Sequence, residues 1–115
     1  MPKYLFLLRD DGSSMADLSP EDIQTIIGRY RAWMGTVNAG GHNLTGDKLR
    51  DEQGRVLRTN GARVAVTDGP FAEAKEIVGG FFLLEAASYD EAVALARDCP
   101  QVATGSVEVR EIETD

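Results

Sequence analysis

Asp68 is followed by Gly69-Pro70-Phe71, and Glu73, Lys75 and Glu76 come soon after. Gly69 takes backbone angles that other residues avoid, and Pro70 donates no ladder hydrogen bond. The apolar run Ala62 to Thr67 must therefore stop there, and Asp68 is presented at a strand end. A carboxylate beside the Phe71 ring could carry a raised pKa and act as a general acid or base. Its structural alternative is a turn cap, accepting the backbone amides of Phe71 to Glu73. His42 is the single histidine. It is the one side chain that titrates near neutrality without help, and the second catalytic candidate. Its alternative is a polar residue at a strand end. Arg9 closes the first apolar run and could reach the same sheet edge to pair with a carboxylate or an anionic ligand. Phe71 and Glu73 complete the candidate ligand-binding set. The charges Glu73, Lys75 and Glu76 either fold over the strand end or form a solvated loop.

Other chemistries find no support. One histidine and one cysteine, far apart, match no metal-ligand spacing, so no metal and no cofactor are expected. Gly79-Gly80 lacks the spacing and the following helix of a phosphate-binding loop. Cys99 fits a buried helix terminus better than a nucleophile.

The elements that would position these residues are legible. Lys3 to Arg9 is a nearly continuous apolar run, a strand covered on both faces. Ser19-Pro20-Glu21-Asp22 starts a helix: a cap, a proline at the first position, and acids at the positive end. Ile23, Ile26, Ile27, Tyr30, Trp33 or Met34, and Val37 form its buried stripe, and Gly40-Gly41 ends it. His42 to Leu49 predicts a strand interrupted near Gly46. Arg55 to Thr59 and Ala62 to Thr67 predict a hairpin turning at Asn60-Gly61, with Leu57 opposite Val64. Ile77 to Glu85 is an apolar strand. Ser88 to Glu91 has the spacing of a capping box, and its helix turns Ala92, Val93, Leu95 and Ala96 inward. Cys99-Pro100 ends that helix, and Val107 to Ile112 alternates as a last strand.

This order, β-α-β-hairpin-β-α-β, is an α+β ferredoxin-like sandwich with an inserted β-hairpin. At 115 residues, with 43% apolar content, it is expected to be one domain over residues 1–115. Two helices cover one sheet face. In the Ile77 to Glu85 strand, Phe81 and Leu83 point one way and Phe82 and Leu84 the other. A homodimer packed sheet to sheet would bury the second set. The net charge of −7 argues against unaided binding to nucleic acid or to an anionic membrane. A lone cysteine and the absence of a long apolar run point to a cytoplasmic protein.

Val-Thr-Asp-Gly-Pro-Phe-Ala-Glu-Ala-Lys-Glu, then Gly-Gly-Phe-Phe-Leu-Leu-Glu, Cys-Pro and Gly-Ser-Val-Glu-Val-Arg resemble the DGPF-type proteins of the YCII-related superfamily. The likeness runs from Tyr4 to Ile112. It implies a dimeric α+β barrel in the bacterial cytosol, and a gene often beside those of extracytoplasmic-function sigma factors. The superfamily includes a dehydrochlorinase and members with a proposed acid–base pair, a histidine on the first helix and an aspartate before the proline that follows the second. Here the first helix has no histidine and Cys99 precedes Pro100, so that pair does not carry over.

Two readings follow. One is a cofactor-free enzyme or small-molecule binder with a site near Asp68, His42 and Arg9. The other is a non-catalytic dimeric accessory or regulatory protein, linked by the resemblance to a sigma factor.

Overall fold

A computed structural model describes residues 1–13, 17–52, 54–69 and 76–114. The elements run β1 (Lys3–Asp10), α1 (Pro20–Ala39), β2 (Thr45–Lys48), β3 (Arg55–Asn60), β4 (Arg63–Asp68), β5 (Ile77–Glu85), α2 (Tyr89–Arg97), a 3-10 turn (Pro100–Ala103) and β6 (Ser106–Glu111). Four strands form an antiparallel sheet in the order β2-β5-β1-β6. This is the ferredoxin-like α+β arrangement. β3 and β4 form a separate two-stranded ribbon, inserted in the connection from β2 to β5.

Alternation along β1 and β5 sets the two faces of the main sheet. Tyr4, Phe6, Leu8, Phe82 and Leu84 are buried toward the helices. Trp33 and Val37 of α1 meet them, with the Trp33 ring 5.0 Å from Phe82 and 6.5 Å from Phe6. The Trp33 indole N–H donates to the Leu95 carbonyl at 3.0 Å, which joins the two helices over the sheet. Leu5, Leu7, Phe81 and Leu83 share the opposite face and are only partly buried.

The helix starts follow the capping chemistry in the chain. Ser19 Oγ accepts the Asp22 amide at 3.1 Å, and Asp22 returns the bond to the Ser19 amide at 3.4 Å. Only half of the expected box forms at α2. Ser88 accepts the Glu91 amide, but the Glu91 carboxylate takes the Ala87 N–H instead, at 2.8 Å. Val93 is 37% exposed and does not face inward as expected, whereas Ala92 and Ala96 are buried.

Two strand expectations are corrected. Gly46 does not interrupt β2. It lies inside the strand opposite Phe82, where a Cβ would strike the Phe81 carbonyl oxygen and sit 2.6 Å from the Phe82 ring. The glycine is there for close approach, not as a break. In the ribbon, Leu57 pairs with Val66, not Val64, and Asn60 pairs with Arg63. The loop is therefore Gly61-Ala62. Gly61 holds φ 63° at the first loop position, the pattern of a type II′ turn, so the turn shifted by one residue from Asn60-Gly61.

Gly46→Ala is expected to lose about 1–3 kcal/mol, the range for overpacking a close contact. Chemical denaturation checks this; an unchanged midpoint would mean that β2 and β5 separate at little cost.

Candidate functional site

Each of the three described candidates has its own partner. Asp68 closes β4 and lies opposite Arg55 in the ribbon, with Oδ1 3.4 Å from the Arg55 guanidinium. Both side chains are exposed, so the pair is solvated and weak. Below it the Gly69 amide donates to the Gly54 carbonyl at 3.0 Å and closes the ribbon's root. Phe71 and Glu73, and with them the amides that Asp68 was expected to cap, lie outside the described residues.

His42 sits between α1 and β2. Its side chain is 12% exposed. Nδ1 lies 2.7 Å from the Glu85 carbonyl oxygen. A carbonyl only accepts, so Nδ1 carries the proton and donates it. The backbone of Gly40 packs against the ring, and a Cβ there would be 3.1 Å from Cδ2. The Glu91 carboxylate is 3.8 Å from Nδ1. His42 thus ties the end of β5 to the end of α1 and the start of α2.

Arg9 lies opposite Val78 on β5, with its Nε 3.3 Å from Glu108 Oε1. Arg110 reaches the other Glu108 oxygen at 3.5 Å, so one carboxylate bridges two guanidiniums. The Glu85 amide, in contrast, donates to the His42 carbonyl at 2.8 Å. The Val78-to-Glu85 span is about 23 Å at the usual strand rise. Arg9 and His42 therefore stand at opposite ends of the sheet. No hydrogen bond or ion pair among the described residues links Asp68, His42 and Arg9.

Two hollows among the described residues are lined by side chains other than these. The larger, about 400 Å³, runs along Lys48 to Glu52. The smaller, about 190 Å³, is lined by Lys3, Asn43, Leu83, Leu84 and Glu85. It adjoins His42 in sequence and brings an ammonium, an amide and a carboxylate to the rim of the uncovered sheet face.

Reading the sequence missed a polar cluster at the other end of β1. Gln101 is only 7% exposed. Its amide N–H₂ donates to the Arg9 carbonyl at 3.0 Å and to Asp10 Oδ2 at 3.2 Å. Its carbonyl accepts the Tyr30 hydroxyl at 2.7 Å. Burial, then the nearby Cys99 and Asp10, pushes the Tyr30 phenol up to about 12. Burial also raises the Cys99 thiol, although the Gln101 amide partly offsets this. A protonated phenol and a protonated thiol are poor nucleophiles, and every polar group here has a partner. The cluster fastens α1 to the end of β1 through the 3-10 turn. No local signal marks it, because its bonds join residues 71 to 92 positions apart.

Two outcomes are expected. Asp68→Ala should cost less than about 1 kcal/mol if the Arg55 pair is its main interaction. A larger loss in urea titration would assign it a capping role toward residues 71–73. The Tyr30 phenol has a folded pKa of about 12 against an ordinary 10.0. Its contribution to stability is full below about pH 10 and is lost as pH rises through 12. Burial and then Glu111 also raise the Tyr4 phenol, so phenolate absorbance should show late-ionising tyrosine of which Tyr30→Phe removes a part; a late phase of unchanged amplitude in that variant would refute the assignment.

No helix among the described residues is long and apolar enough to cross a membrane. A relative is found in Rhizobium meliloti (strain 1021), an uncharacterised protein 49% identical over 57 residues. The match spans 48% of this chain and 46% of the relative's length, about half of each. The model of the YCII-related domain matches residues 3–114, from the start of β1 to beyond the end of β6. The chain belongs to the YCII-related domain family.

Proposed function

We propose that this protein acts as a homodimeric, non-catalytic accessory protein, assembled through the uncovered face of its main sheet. One observation carries the reading. Leu5, Leu7, Phe81 and Leu83 line the centre of a sheet face that no helix among the described residues covers. A second copy laid on that face gives each apolar set a layer to pack against. The ion-paired Arg9, Glu108 and Arg110 then form a polar rim beside the apolar centre, as interfaces commonly have. An accessory role also accommodates the gene association with extracytoplasmic-function sigma factors that the family resemblance implies.

A second reading is small-molecule binding, with cofactor-free acid–base chemistry near Asp68 as its sharper form. The hollow at Lys3, Asn43 and Glu85 favours binding, because a second sheet over Leu83 would roof it. Convergent polar groups at an apolar wall are what such a site requires. Chemistry using Asp68, His42 and Arg9 together would need residues from two copies, or a contribution from the segment holding Phe71 and Glu73.

Light scattering should give about twice the 12.5 kDa chain mass. Phe81→Asp should leave monomer, because a buried unpaired charge is strongly disfavoured. A wild-type protein that stays monomeric at high micromolar concentration would overturn the first reading. Binding of a small anion that survives Lys3→Ala and Asn43→Ala would remove the support for the second.

A further inference from the structure

The β3–β4 ribbon stands apart from the rest of the molecule. Two strands alone are at best marginally stable in water and need a third strand or a packed face. Leu57, Val64 and Val66 occupy one face of this ribbon, since Leu57 pairs with Val66 and Thr59 with Val64. They are 64%, 62% and 59% exposed, and nothing in the described chain covers them. The chain has a radius of gyration of 16.2 Å and extents of 49 × 46 × 18 Å. A compact chain of this length would have a radius near 13 Å. The excess is that of a flat body with a projecting arm.

Charge separates the arm from the body as well. Arg55, Arg58 and Arg63 against Asp68 give residues 55–68 a net charge of +2, which leaves −9 on the rest of a chain whose total is −7. A basic arm on a strongly acidic body is complementary to the body of another copy. Closed two-fold symmetry makes that contact twice, once for each arm.

We propose that the β3–β4 ribbon is an exchange arm, which lays Leu57, Val64 and Val66 on the acidic body of a second copy of this chain. The inference rests on the homodimer reading and adds a second contact surface to it. The apolar face excludes water at the contact, and Arg58 and Arg63, on the opposite face of the ribbon, act at long range to steer the arm toward the acidic partner. The exposed face is then an interface, which accounts for three large aliphatic side chains on a two-stranded element where polar residues would otherwise be expected.

The test uses the full chain and sedimentation equilibrium. Leu57→Ser and Val66→Ser remove apolar area at positions already exposed in one chain, so the body should stay folded, with Trp33 near-ultraviolet circular dichroism as the check. Together they are expected to raise the dimer dissociation constant by about 10- to 100-fold, the equivalent of leaving one or two aliphatic side chains in water. Arg63→Glu is expected to weaken the dimer, and added salt to weaken the wild type more than this variant. Amide hydrogen exchange over residues 55–68 should slow as protein concentration passes through the dissociation constant. The sheet-face variant Phe81→Asp separates the two surfaces. If the arm variants dimerise as tightly as wild type and arm exchange ignores concentration, the arm proposal is overturned and the sheet contact stands. If the arm variants dissociate while Phe81→Asp remains dimeric, the arm proposal stands and the sheet contact falls. A wild type that never dimerises overturns both.

Discussion

The antiparallel pairing of β1 with β5 is the contact on which the rest of this molecule depends. From Lys3↔Glu85 to Asp10↔Ile77 the two strands run side by side through the centre of the sheet. Both are apolar on both faces, so neither can lie at an edge without exposing a row of large side chains. That constraint puts β2 and β6 outside, sends both helices over Tyr4, Phe6, Phe82 and Leu84, and leaves Leu5, Leu7, Phe81 and Leu83 in need of a second layer. The glycines serve the same packing. Gly46 lets β2 approach Phe82 without a side chain between them, and a Cβ at Gly105 would run into the Arg9 carbonyl and lie 2.8 Å from the Gln101 amide.

Local chemistry was legible in the sequence, and long-range chemistry was not. Ser19-Pro20 and Gly40 bound α1 where their capping and breaking tendencies place them. The double apolar pattern of Phe81 to Leu84 marks a strand apolar on both faces; its burial alternates, with Phe82 and Leu84 buried and Phe81 and Leu83 only partly so. The errors have specific physical origins. Dipeptide preference puts the turn at Asn60-Gly61, but the ladder sets Asn60 opposite Arg63, and a lone positive φ at Gly61 satisfies it. Gly46 looks like a breaker because a sequence does not show the neighbour that comes within its missing Cβ. Glu91 sits three residues after Ser88, yet the Ala87 amide competes for its carboxylate and wins.

The candidate site shows the same division. Residue type and spacing drew attention to Asp68, His42 and Arg9, each at a strand end, and the structure puts each near a strand end. Their separation depends on which strand ends share a side of the sheet, and that is a matter of topology. The buried polar cluster of Tyr30, Gln101 and Asp10 escaped notice for a related reason. A glutamine after a Cys-Pro step looks like an ordinary loop residue until the fold carries it under the end of β1. There a primary amide can donate twice and accept once, and it meets partners for all three bonds.

The placement of β1 also has a consequence for how the chain reaches its native state. β1 is made before either of its neighbours in the sheet, which both come from beyond residue 76. On the ribosome the run Tyr4 to Leu8 therefore emerges as an unpaired, strongly apolar strand, with most of the chain still to be synthesised. Its first available cover is α1, whose local contacts form fast, whereas its ladders close only after β5 and then β6 appear. Such a strand is open to mispairing for most of the synthesis time. Its folding rate is accordingly set by long-range closure rather than by the stability of any one element.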